Sequence, residues 1–83
     1  VTQRPERLGV YGGTFDPVHV GHVMVAAECR SALHLDRVLI VVAGDPWQKR
    51  GRVVADAHTR LLLVEAAVEG VEGVEASDIE IAR

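Results

Sequence analysis

Apolar positions recur along this chain with two periods, and their order predicts its elements. Leu8-Gly9-Val10-Tyr11 is a short apolar run bounded by glycine, read as a strand. Val25, Ala26, Cys29, Ala32 and Leu33 then recur at helical spacing, with Glu28 and Ser31 elsewhere, predicting a helix from about Gly21 to Leu33. Arg37-Val38-Leu39-Ile40-Val41-Val42-Ala43 is too short for a typical helix and too apolar for a strand with one wet face, which predicts a buried parallel strand. A second helix is expected from Asp56, a good N-cap residue, to Gly70, with Ala57, Leu61, Val64, Ala67 and Val68 on its inner face. Between Val74 and Ile81, Ile79 and Ile81 alternate with Asp78 and Glu80, and a third strand is expected there.

Strand, helix, strand, helix, strand in this order implies an α/β fold with a parallel sheet and right-handed crossovers. Ligand-binding loops lie at the carboxyl ends of such strands. The turn after the first strand and the loop after Ala43 therefore face one site. Right-handed crossovers also put both helices on one face of the sheet, whereas Val38 to Val42 is apolar on both faces. One face is expected to be bare. Each side chain left wet there forfeits roughly 1.5 to 3 kcal/mol, against a whole-domain stability of about 5 to 15. The expectation is that these residues are part of one longer domain, and that the isolated chain self-associates, aggregates or unfolds easily.

Composition narrows the function classes. The 83 residues are 48% hydrophobic and 25% charged with a net charge of -3, which suits one small globular domain. No basic stripe is present, and Tyr11, Phe15 and Trp47 are too scattered for a single-strand groove, so nucleic-acid binding is not expected. Val1 to Arg7 carries charge without the apolar core of a signal peptide, and no run approaches a membrane span, making a cytoplasmic location the expectation. Cys29 is the only cysteine, which excludes an internal disulfide and a site of several thiolates; its spacing reads as a small buried packing residue.

Candidate chemistry concentrates in Gly12-Gly13-Thr14-Phe15-Asp16-Pro17-Val18-His19-Val20-Gly21-His22, where the first strand should turn into the first helix. Gly12 and Gly13 let a ligand approach the main chain, and Pro17 fixes one φ angle. His19 and His22 are three residues apart, which puts both imidazoles on one side of the first helical turn with Gly21 between them. A helix start offers unpaired N–H groups and the positive end of its dipole, so the corner suits a phosphate, and the expected ligand is a nucleotide. A lone histidine at His22 would read as a core residue bonded to a carbonyl; His34 reads as a surface residue, and His58 is assigned no chemistry. The loop Gly44 to Arg52 adds Lys49, Arg50 and Arg52, either phosphate partners or a solvated charged loop, and Trp47, either a lid or packing. Neither Gly-x-x-x-x-Gly-Lys-Ser/Thr nor Gly-x-Gly-x-x-Gly occurs, which argues against a P-loop NTPase and an NAD-dependent dehydrogenase. Asp16, His19 and His22 do not have the His-Glu-x-x-His spacing of zinc proteases, and no protein-held metal is expected.

The run ending His19-Val20-Gly21-His22 resembles the His-x-Gly-His signature of a nucleotidyltransferase superfamily, and its lead-in, Gly12 to Pro17, is similar to the branch of bacterial nicotinate-nucleotide adenylyltransferases. The resemblance implies a Rossmann-like nucleotidyltransferase fold, of which this chain would be the first β-α-β-α-β portion. It implies transfer of AMP from ATP to nicotinate mononucleotide, giving nicotinate adenine dinucleotide and pyrophosphate in NAD biosynthesis, with Mg2+ bound to ATP. His19 and His22 would hold the transferring and departing phosphates. Gly12, Gly13, Thr14 and Phe15 would line the substrate with backbone groups beside Gly21, and Lys49 would add a phosphate contact. Pro46-Trp47-Gln48-Lys49 departs from the proline followed by His-Lys common at this position and looks like the variant of actinobacterial members. The family's Ser-Ser-Thr-x-x-Arg motif does not occur in the chain. Phosphopantetheine and nicotinamide mononucleotide stay open as acceptors, as do a non-catalytic nucleotide-binding module and an interaction fragment.

Overall fold

A computed structural model describes residues 5–15, 17–44 and 56–81. The branched run at the middle of the sequence forms the central strand, β2 (Arg37–Val42), between β1 (Leu8–Gly13) and β3 (Val74–Ser77). All pairings are parallel, with Leu8 opposite Arg37 and Gly13 opposite Val42 on one side, Val38 opposite Val74 and Val41 opposite Ser77 on the other. The connecting helices are α1 (Val20–Ala32) and α2 (Ala57–Val68). The order β-α-β-α-β is the one expected from sequence.

Alternation along β2 sorts the core. Val38, Ile40 and Val42 are 2%, 0% and 0% exposed and pack with Phe15, Ala26, Leu61, Val64, Val68 and Val74 under the helices. The opposite face is open at β1, where Leu8 is 43% and Val10 68% exposed, but nearly closed over Val41, at 9%. Ile79 and Glu80 line the groove there together with Leu39 and Val41, so the second face is partly covered by the segment that follows β3.

That segment corrects one expectation. The Asp78 to Ile81 alternation is not strand: Ile79 N–H donates to the Ser77 hydroxyl at 3.3 Å and Ile81 N–H to the Asp78 carbonyl at 2.8 Å, so a local turn takes the backbone out of the ladder. Ile79 is left exposed. A second correction concerns α1, whose only buried residue is Ala26. Val25 and Leu33 are about half exposed and Cys29 is exposed, not the buried packing residue its spacing suggested. The cause is the strand beneath: among the described residues β1 is an edge strand, with glycine at positions 9, 12 and 13, and the outer part of the α1 stripe overhangs it, lining a cleft with Gly9, Tyr11 and Leu35.

The second helix starts as the sequence suggests. Asp56 accepts a hydrogen bond from Thr59 N–H at 2.8 Å, and this bond holds its carboxyl below the ordinary value. Gly70, with φ +83°, turns the chain after the helix. The inner face is Ala57, Arg60, Leu61, Val64 and Val68, whereas Ala67 is exposed. At the amino ends of the strands, Arg37 bridges Glu6 at 2.7 Å and Glu75 at 3.1 Å; the hydrogen bond from Arg37 lowers the Glu6 pKa. Among the described residues, no helix is long and apolar enough to cross a membrane.

Candidate functional site

The parallel register brings the carboxyl ends of β1 and β2 side by side, with Ala43 N–H donating to the Gly13 carbonyl at 2.9 Å. The turn after β1 and the first residues after β2 therefore leave the sheet together. Within the turn, Phe15 has φ +53° and is only 4% exposed. A non-glycine residue in this region costs on the order of 1–2 kcal/mol, and burial of the ring is of comparable size and offsets it. The ring packs edge-on to Tyr11 at 5.5 Å and to His22 at 5.0 Å, and lies over Gly13, where a Cβ would sit 3.1 Å from Phe15 Cζ. Phe15 thus gives its ring to the core and leaves its backbone to the turn.

The two histidines cap the helix reciprocally. His19 is the N-cap of α1, and its Nδ1 accepts from Gly21 N–H at 3.1 Å, while His22 Nδ1 accepts from His19 N–H at 2.9 Å. The rings stack with centroids 3.8 Å apart. Because each Nδ1 accepts, each neutral ring carries its proton on Nε2, giving two adjacent N–H donors. Partial burial, and then the neighbouring His19, lower the His22 pKa from its ordinary 6.5. Gly21 makes the arrangement possible: a Cβ there would meet the His19 ring at 2.9 Å. The amides of Gly21 and His22 are engaged by His19, the first by its ring and the second by its carbonyl.

Beneath this turn lies Arg60, fully buried on α2. Its Nη1 donates to the Thr14 carbonyl at 2.8 Å and to the Ala43 carbonyl at 2.9 Å, and its Nη2 to the Gly44 carbonyl at 3.5 Å. One guanidinium thus ties the turn after β1 to the segment after β2. Sequence reading missed it, although a signal was present: Arg60 stands three residues after Ala57 and four before Val64, on the face assigned to the core.

Residues 10–83 match the cytidylyltransferase-like family. The chain belongs to that family. It is 47% identical over 77 residues to a probable nicotinate-nucleotide adenylyltransferase of Desulfatibacillum aliphaticivorans, covering 93% of this chain and 36% of the relative. A protein of the same description from Gemmatimonas aurantiaca is 48% identical over 77 residues, 93% of this chain and 36% of the relative. Another from Acidothermus cellulolyticus is 41% identical over all 83 residues, 40% of the relative. The chain thus spans 36–40% of the length of these three relatives.

In this member of the cytidylyltransferase-like family, Gly12, Gly13, Thr14, Phe15, His19, Gly21 and His22 all fall between the end of β1 and the first turn of α1. Lys49 lies outside the described residues, as do Asp16, Trp47, Arg50 and Arg52. His34 and His58 are exposed on other parts of the surface. Among the described residues, no group of three or more His, Cys, Asp or Glu side chains could hold a metal ion.

Proposed function

We propose that this chain forms part of a single nucleotidyltransferase domain of a cytoplasmic enzyme that transfers AMP from ATP to nicotinate mononucleotide. The observation that carries the reading is the pair of reciprocally capping imidazoles beside the glycine turn. The mononucleotide phosphate oxygen attacks the α-phosphorus of ATP, forming a new P–O bond. The bond from that phosphorus to the α,β-bridging oxygen breaks, and its electron pair leaves with pyrophosphate. Such transfers leave the protein mainly positioning and charge stabilisation. His19 and His22 donate from Nε2 to the transferring and departing phosphates, and the backbone of Gly12, Gly13, Thr14 and Phe15 lines the nucleotide beside Gly21. Lys49 adds a phosphate contact. Magnesium supplies charge neutralisation when it arrives on the ATP phosphates, and it needs few protein ligands.

The experiment is titration of the full-length gene product with ATP and Mg2+, followed by pyrophosphate release with nicotinate mononucleotide, nicotinamide mononucleotide and phosphopantetheine in turn. Release with the first acceptor alone is expected, and His19→Ala or His22→Ala should lower it by orders of magnitude with the fold intact. Preference for another acceptor reassigns the substrate; ATP binding without release points to a nucleotide-binding module; neither points to an interaction fragment. Unchanged turnover in both histidine variants would remove them from the chemistry.

A further inference from the structure

We propose that Arg60 is a positioning residue of the nucleotide site, orienting the peptide planes that follow β1 and β2 without touching the ligand; this rests on the adenylyl-transfer reading above. Burying a guanidinium is expensive, and an apolar side chain would fill the inner face of α2 without that cost. What Arg60 alone supplies is a planar fork of donors spanning two loops. Among its partners are the carbonyls of Thr14, Ala43 and Gly44, all three in the segments that leave the carboxyl ends of the strands. In a trans peptide the C=O and the following N–H point in opposite directions. A carbonyl drawn to a fully buried guanidinium therefore turns the next N–H away from it, and this applies to Phe15 N–H after Thr14 and to Gly44 N–H after Ala43. Those amides become preset donors for a phosphate held beside His19 and His22. Ala43 N–H, bonded to the Gly13 carbonyl, locks the peptide planes immediately before these from the sheet side. The left-handed backbone of Phe15, one residue after the Thr14 carbonyl, is strained geometry held in place by this clamp. With no exposed surface, Arg60 acts on the ligand through the loops it holds.

The test compares Arg60→Met, which keeps the stem and loses the fork, with Arg60→Lys, which keeps the charge and loses the fork, both in the full-length gene product. Steady-state kinetics with ATP, Mg2+ and nicotinate mononucleotide are normalised to the folded fraction. Binding of α,β-methylene-ATP with Mg2+ is measured by calorimetry, and the amide resonances of Phe15 and Gly44 are followed by NMR. Expected are a raised KM for ATP, a kcat/KM lower by roughly 100-fold in Arg60→Met and by a smaller factor in Arg60→Lys, and displaced Phe15 and Gly44 resonances in both. A lower melting temperature with kcat, KM and both resonances unchanged per folded molecule would overturn the proposal, leaving Arg60 a packing residue. If Arg60→Met does not fold, Arg60→Lys decides by the same readouts, and failure of both to fold also overturns it in favour of a purely structural role. If the wild-type protein transfers adenylate to no acceptor, the functional reading fails separately. Analogue binding and the two amide resonances then still judge the clamp.

Discussion

Gly21→Ala separates the role of Gly21 as helix backbone from its role as room for the His19 ring. Position 21 is helical, so alanine is compatible with the backbone and should favour the helix by about 0.5–1 kcal/mol. Against this, the new methyl would lie 2.9 Å from His19 Cε1 and 3.0 Å from Nδ1, and the ring must retreat by about 0.5 Å to reach ordinary contact at 3.4 Å. Retreat lengthens the bond from Gly21 N–H, and losing a cap costs about 0.5–2 kcal/mol. The opposing effects partly cancel, leaving a net change between about 0.5 kcal/mol stabilising and 1.5 kcal/mol destabilising. Catalysis has no such compensation. The displaced ring takes its Nε2 donor with it and disturbs His22, stacked at 3.8 Å, and misplacement on an ångström scale costs about 100-fold. Urea unfolding and pyrophosphate release, measured on the same full-length preparations, should show a midpoint near that of wild type with kcat/KM down roughly 100-fold. Turnover within about threefold of wild type at equal stability would refute the reasoning, because the ring would then have room that the structure denies it.

The lowered pKa of His22 makes the neutral ring the form the fold prefers, so its contribution is fully present above the ordinary value of 6.5 and is lost as pH falls through the lower folded-state value. Urea midpoints should therefore decline as pH drops below 6.5, and the decline should flatten in His22→Asn, whose side-chain oxygen can still accept from His19 N–H. If Lys49 meets a triphosphate, Lys49→Ala should weaken ATP binding or slow transfer more than Arg52→Ala, as read by calorimetry and pyrophosphate release; equal, small effects would favour a solvated loop. Asp56→Ala removes the cap on Thr59 N–H and should lower the urea midpoint, with an unchanged midpoint counting against the cap. The isolated 83-residue chain, with Leu8 and Val10 wet on the open face, should self-associate in analytical ultracentrifugation or unfold at low urea; a stable, cooperative monomer would contradict this.

The central strand was readable because an uninterrupted branched run has few other solutions, whereas its register with both neighbours comes from the structure. The start of α1 was placed one residue late because histidine is not a usual N-cap; the cap depends on Gly21 leaving space, which spacing alone does not reveal. Cys29 and Ala67 were misplaced for a common reason: periodicity defines a stripe but not the width of the surface under it. Arg60 stands at a readable inner-face position, but what it binds was hidden for another reason. Its acceptors at Thr14 and Ala43 lie 46 and 17 residues away, beyond any local pattern.

The glycine-rich edge strand has a consequence for local opening. Three of the six residues of β1 are glycine, its outer edge has no strand neighbour among the described residues, and Val10 is largely wet, so detaching it from β2 uncovers little apolar area. Glycine also regains the most backbone freedom on release. Amide exchange at Val10, Tyr11 and Gly12 should proceed through sub-global opening, well ahead of Ile40 and Val42, which are fully buried in β2. The segment leading into the glycine turn then opens before the central strand does. If a nucleotide is held at that turn as proposed, protection should rise more in β1 than in β2, so exchange along the edge strand reads occupancy.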